Sequence, residues 1–169
     1  MENRKIQTRG FVSAFPGCGK TTIHMDGYRF GLYPMRPTGH AVYRMVRPAG
    51  VPAVFDSDSS TYDKEYFPGN YIKWMVQTLQ NNILDGFVAL VSSHDNVRLA
   101  MQEAGLPYTL VYPDRSLKSE YIERYKKRGS PDAFITMMEN KWDDFIDSCE
   151  SDPADKIVLQ AGQYLVDVL

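Results

Sequence analysis

The chain has 169 residues, 43% of them hydrophobic and 24% charged, with a formal net charge of -2. That length and apolar content suit one domain with a real core. The near-neutral balance excludes a whole-molecule field for nucleic acid, so any polyanion site must be local. The two cysteines, Cys18 and Cys149, make neither a zinc pattern nor a disulfide framework, which predicts a reducing, cytoplasmic setting. No apolar run approaches the roughly 18 residues of a membrane span, and residues 1–9 lack the apolar centre of a signal peptide.

In chain order, the first predicted strand covers 8–15 and ends at Pro16-Gly17-Cys18-Gly19. A short helix at 20–25 follows. Residues 24–50 then break the pattern with seven glycines and prolines, so no long helix fits there. This insert carries Arg29, Arg36, Arg44 and Arg47 against Asp26 alone, a formal charge of +3, interleaved with Tyr28, Phe30, Tyr33 and Tyr43. Further strands are predicted at 51–55, 86–91, 108–112 and 156–159. All are short apolar runs without clean alternation, as in strands buried on both faces of a parallel sheet. Between them, Tyr71, Met75, Val76, Leu79 and Ile83 recur at helical spacing, as do Val97, Ala100 and Met101 before Gly105. Leu117, Tyr121, Ile122 and Tyr125 mark a helix stopped by Gly129. Ser130-Pro131-Asp132 reads as a helix start, and its stripe of Phe134, Met137, Met138, Trp142, Phe145 and Ile146 reads as core. A last short helix begins near Gln163. Strands alternating with helices predict an α/β fold with a five-stranded parallel sheet.

Ala14-Phe15-Pro16-Gly17-Cys18-Gly19-Lys20-Thr21 fits the phosphate-loop pattern G-x-x-x-x-G-K-[ST] at every fixed position but the first. Glycines at 17 and 19 let backbone N–H groups turn around phosphates, and the helix start adds its positive end. Pro16, Gly17, Cys18, Gly19, Lys20, Thr21 and Thr22 are therefore expected to bind a nucleotide. Lys20 would reach its phosphates and Thr21 would ligate Mg²⁺. Phe55-Asp56-Ser57-Asp58 ends the second strand at the edge where open α/β sheets bind ligands. Two residues apart on extended chain, Asp56 and Asp58 share a side. One carboxylate can serve the metal and the other an acceptor hydroxyl.

These motifs resemble the small P-loop kinases of the shikimate, gluconate and nucleoside-monophosphate kinase group, the Asp-Ser-Asp element being nearest the shikimate kinases. The stretch from Val91-Ser92-Ser93-His94 through Tyr121 to Ser130 is similar to small bacteriophage-encoded P-loop kinases, which include nucleotide kinases and kinases of 5-hydroxymethyluracil in DNA. The resemblance implies a three-layer fold with strand order 2-3-1-4-5 across the whole chain, with ATP and Mg²⁺ as cofactors. It gives Asp56 to the metal and Asp58 to the acceptor. It makes 113–130 a lid whose Arg124, Lys127 and Arg128 neutralise the moving phosphoryl group, and it sets Gly162 beside adenine.

Ser92, Ser93, His94, Arg98 and Tyr62 are the expected acceptor contacts. Each also has a plain structural reading: a helix start for His94, a solvated helix face for Arg98, ring packing for the aromatics around Tyr62. The end of the third strand lacks the acid a molecular motor often carries there. The expected activity is phosphoryl transfer to a nucleotide or nucleoside-like acceptor, with a hydroxymethylated base in DNA as a variant drawing on the basic insert. A small-metabolite hydroxyl kinase, and a nucleotide-binding ATPase or switch acting through a partner, are the alternatives. The insert itself is open between a lid, a DNA contact and a dimer surface.

Overall fold

The computed structural model describes residues 5–35 and 48–169. Among the described residues six parallel strands form one sheet: β1 (Gly10–Ala14), β2 (Tyr33–Met35), β3 (Ala53–Asp56), β4 (Phe87–Ser92), β5 (Tyr108–Pro113) and β6 (Asp155–Leu159). Their order across the sheet is β2-β3-β4-β1-β5-β6. The helices are α1 (Lys20–Met25), α2 (Gly69–Asn82), α3 (Asp95–Glu103), α4 (Lys118–Lys127), α5 (Asp132–Glu150) and α6 (Leu165–Val168).

The five expected strands are present in the expected relative order, and the count of five is corrected to six. The added strand, β2, comes from the insert. Tyr33-Pro34-Met35 pairs in register with Ala53-Val54-Phe55. A proline at its centre reads as a turn in sequence, but an edge strand needs no donor on its outer side and tolerates it. His24 fastens β2 to α1 through a 2.6 Å contact from Nε2 to the Met35 carbonyl. The remainder of the insert, with Arg36, Tyr43, Arg44 and Arg47, lies outside the described residues. Arg29 pairs with Asp26 on the surface.

All six residues of β4 are buried. Side chains of a strand alternate between faces, so both faces of the sheet centre are covered, the condition for three layers. The α5 stripe closes one side. Trp142, 1% exposed, meets Phe15 edge-to-face at 5.4 Å between ring centres and donates from Nε1 to the Arg115 carbonyl. Helix α5 begins one residue later than Ser130-Pro131 suggested, with Pro131 as the cap and its carbonyl receiving the Ile135 N–H. Parallel strands put their carboxyl ends on one edge. There the chain leaves β1 for the glycine loop, β3 for Asp56 to Asp58, and β4 for Ser92 to His94. Among the described residues no helix is long and apolar enough to cross a membrane.

Candidate functional site

The glycine loop is held by its carbonyls. Tyr125 Oη donates to the Pro16 carbonyl at 2.8 Å, Arg124 Nη1 to the Gly17 carbonyl at 2.9 Å, and the Leu165 N–H to the Cys18 carbonyl at 2.9 Å. A trans peptide points its C=O and the following N–H in opposite directions. Tying the carbonyls back to α4 and α6 therefore turns the Gly17 and Gly19 amides toward the open side. The Cys18 amide closes a turn onto the Phe15 carbonyl at 3.2 Å. Gly17 and Gly19 sit at φ 88° and 93°, in the left-handed region that favours glycine. A side chain at Gly17 would also meet the Tyr125 ring at 3.0 Å. The first-turn amides of α1, at Lys20, Thr21 and Thr22, have no intrahelical acceptors. The loop thus offers a row of donors with its acceptors already used.

Cys18 faces away from that open side. It is buried, with its sulfur 3.8 Å from Tyr121 Oη, and burial pushes the thiol up to about 12. It stays protonated and unreactive at neutral pH.

Lys20 heads α1 from within the loop. The protein around it lowers its pKa, while Asp56 and Asp58 oppose that shift. Among the described residues it has no ion pair. Asp58 is exposed in extended conformation, and its Oδ1 caps the next short turn by accepting the Ser60 N–H at 2.9 Å. Asp56 ends β3 half-buried. The ladder continues one residue further, from Ser57 N–H to the Leu90 carbonyl at 3.0 Å, which keeps the two aspartates on extended chain. Thr21 and Thr22 are exposed on the first turn of α1.

Tyr71, expected only as the first apolar position of a helical stripe, is the bracket of this edge. Its hydroxyl donates to the Ser57 carbonyl at 2.9 Å and accepts the Ser92 N–H at 3.2 Å, joining the ends of β3 and β4. Tyr62 packs on the Tyr71 ring at 4.7 Å, with its hydroxyl 3.4 Å from Ser57 Oγ. The packing reading of Tyr62 is the one the geometry favours.

Arg98 also differs from the expected phosphate contact. It is 5% exposed, with Nη1 paired to Asp152 at 2.7 Å, Nη2 donating to Ser148 Oγ at 2.6 Å, and Nε to the Ser93 carbonyl at 2.9 Å. Its charge is neutralised inside the protein, and its service to the site is to pin the Ser93 backbone. Ser92 is buried, Ser93 half-buried, and His94 stands exposed at the start of α3. The surrounding protein, and next the Lys20 charge, hold His94 below its ordinary value of 6.5. Between that lowered value and 6.5 the unfolded chain binds the proton and the folded chain does not, so stability falls as pH drops through this window. His94→Gln is expected to flatten that acid-side slope in urea titrations across pH 5–7.

Arg124 departs from its expected catalytic place too. Its guanidinium lies 4.3 Å and 3.9 Å from the ring centres of Tyr121 and Tyr164, and it donates to Gly17, Gln163 and Glu120. It builds the loop from behind. Arg124→Met is expected to destabilise the fold by about 1.5–3 kcal/mol, the contribution of a charged donor to a carbonyl. Arg124→Lys should rescue poorly, because lysine lacks the planar fork. Urea titration of each variant checks this. Lys127 is exposed and outside the cavity lining. The Gly162 N–H is taken by Glu120 Oε1 at 3.0 Å. Arg128 does face the site: it stacks on Tyr125 and Phe134, at 4.9 Å and 5.5 Å, and lines the cavity beside Lys20.

That cavity, about 520 Å³, runs from the loop to α5. It brings together Pro16, Lys20, Asp58, Ser92, Ser93, His94, Arg98 and Arg128 of the expected residues. Gly17, Cys18, Gly19, Thr21, Thr22, Asp56, Tyr62, Arg124, Lys127 and Gly162 do not line it. The far wall is made by Phe134, Met137, Lys141, Asp144 and Phe145 of α5, of which Phe134, Met137 and Phe145 were read in sequence as core. The available signal was Lys141 and Asp144 flanking Trp142 on an otherwise apolar stripe. Among the described residues no group of three or more His, Cys, Asp or Glu is placed to hold a metal. Comparison with protein-family models, with curated proteins and with solved structures gave no match.

Proposed function

We propose that this chain is a Mg·ATP-dependent phosphotransferase of the P-loop kind, moving a phosphoryl group to the hydroxyl of a nucleotide or nucleoside-like acceptor. The observation that carries the reading is the loop with its carbonyls tied back, its Gly17 and Gly19 amides turned out, and at its end a lysine without an ion pair among the described residues. Such a donor array suits a polyphosphate and leaves no acceptor to repel it. Bound there, Mg·ATP would supply the phosphoryl group and the charge-neutralising metal, with the Thr21 hydroxyl and Asp56 on the metal side. Lys20 and the loop amides bind phosphate oxygens. Asp58 would orient the acceptor hydroxyl and take its proton as that oxygen bonds to the γ-phosphorus and the bond from that phosphorus to the bridging oxygen breaks, with ADP as the leaving group. Arg128 offsets charge from the cavity side.

ATP consumption measured with and without a panel of hydroxyl acceptors tests the reading. Turnover that depends on acceptor supports it. Equal turnover without acceptor points to an ATPase or switch instead. Asp58→Asn is expected to lower transfer by about 10²–10⁴-fold, the range of positioned acid–base groups, with ATP binding nearly unchanged. Equal losses in both would give Asp58 to the metal or to structure. For a hydroxymethylated base in DNA as acceptor, labelled phosphate recovered in such DNA rather than in free nucleosides is the deciding result.

A further inference from the structure

Hydrogen bonds between β3 and β4 recur at alternate residues, as in any parallel pair. The Ala53 N–H donates to the Gly86 carbonyl at 3.4 Å and the Ser57 N–H to the Leu90 carbonyl at 3.0 Å. With Asp56 opposite Leu90, the next bond of this ladder would run from the Ser92 N–H to the Ser57 carbonyl. In its place stands the Tyr71 hydroxyl, which accepts the Ser92 N–H at 3.2 Å and donates to the Ser57 carbonyl at 2.9 Å. One oxygen is thus inserted into the ladder where the strands reach the cavity. Asp58 follows on one side, Ser93 and His94 on the other, and all three line the cavity.

The two sides are held differently. The end of β4 has anchors of its own: Ser13 Oγ donates to the Ser92 carbonyl at 3.3 Å and Arg98 Nε to the Ser93 carbonyl at 2.9 Å. Beyond Ser57 the other chain turns on itself, with Asp58 accepting from the Ser60 N–H and from Thr61 Oγ1. Tyr71 itself is fully buried, its ring centre 4.7, 5.9 and 6.1 Å from those of Tyr62, Phe67 and Trp74. Its oxygen therefore has a fixed place, although Tyr71 does not line the cavity.

We propose that Tyr71 is a positioning residue: its hydroxyl, standing in for one ladder bond, carries the fixed place of the β4 end across to Asp58 and sets the gap in which an acceptor hydroxyl meets that carboxylate. The role of Asp58 is that of the phosphotransferase reading, on which this inference rests.

Tyr71→Phe keeps the ring contacts and removes the oxygen. The phenyl edge still holds the strand ends apart, so the Ser92 N–H and the Ser57 carbonyl lose their partner. Amide hydrogen exchange at Ser92 is expected to quicken by about 10-fold or more. In kinetics on the full chain with a panel of nucleoside acceptors, kcat is expected to fall by about 10–100-fold, the effect of a misplacement near 1 Å. Affinity for a non-hydrolysable ATP analogue with Mg²⁺ should stay within about 2-fold. Trp74→Leu is the packing control: it loosens the same cluster and leaves the oxygen in place, so its melting temperature should fall while kcat stays within about 2-fold. Faster Ser92 exchange with unchanged kcat in Tyr71→Phe overturns the positioning role. So does an equal kcat loss in Trp74→Leu, which would make the cluster only a seat for α2. Unchanged Ser92 exchange overturns the inserted bond. Failure of the unaltered chain to bind the analogue overturns the phosphotransferase reading, and the exchange result is read independently of it.

Discussion

Lys20→Ala is expected to lower phosphoryl transfer by about 10²–10³-fold or more, the effect of removing a preorganised charge from a developing anion. The folded state should survive. Lys20 has no ion pair among the described residues, so its removal strands no buried partner. The protein around it lowers its pKa, which means that holding the charged form costs folding energy. The linkage has a definite sign. The folded pKa lies below the ordinary 10.5, so the unfolded chain binds more protons in the window between them, and Lys20 favours folding increasingly as pH rises through it. Alanine removes that dependence. Circular dichroism and thermal melting should therefore show an unchanged or slightly more stable fold at neutral pH, while ATP turnover collapses. Full activity in the variant would remove the loop from the chemistry.

The largest stability effect is expected at Asp152→Ala. This carboxylate is 5% exposed and accepts from Arg98 Nη1 at 2.7 Å, Tyr108 Oη at 2.9 Å and the Ala154 N–H at 2.9 Å. Burial opposes its ionisation, but the bonds from Arg98, Ala154 and Tyr108 outweigh that and hold its pKa below the ordinary 3.8. Truncation leaves the Arg98 guanidinium buried without its counter-charge, a loss of about 3–5 kcal/mol. At this chain length that corresponds to a melting temperature lower by about 6–20 °C. Arg98→Met combined with Asp152→Leu removes both charges and should cost clearly less than the sum of the two single changes. Additive losses would show that the two residues act separately. The depressed pKa also has a sign: the stabilisation is present above 3.8 and is lost as pH falls through the lower folded value.

Much of the architecture was legible because it rests on local pattern. Short apolar runs separated by helical stripes specify parallel strands with crossovers, and Gly105 and Gly129 stop α3 and α4 near where they were expected to. The edge strand β2 was not legible, since three residues with a central proline carry no strand signal of their own. Its formation depends on β3 offering a free edge. The site was legible in part. Lys20, Asp58, Ser93 and His94 line one cavity because strand ends of a parallel sheet meet at one edge, and Arg128 joins them from the C-terminal end of α4.

Arg98 and Arg124 show what the sequence by itself leaves undetermined. Both looked like cations free for phosphate. Asp152 lies 54 residues from Arg98, and the Gly17 carbonyl 107 residues from Arg124. Pairing across such separations is fixed only when the sheet brings α3 against α5 and α4 against the loop. What the sequence determined alone is local: the glycine loop with Lys20, the extended Asp56 to Asp58 strand end, and the order of strands and helices, each encoded by neighbours along the chain. Tertiary structure decided which cations stay available, which tyrosines build the loop from behind, and that α5 walls the cavity. Those outcomes depend on burial and on partners distant in sequence, which no spacing along the chain records.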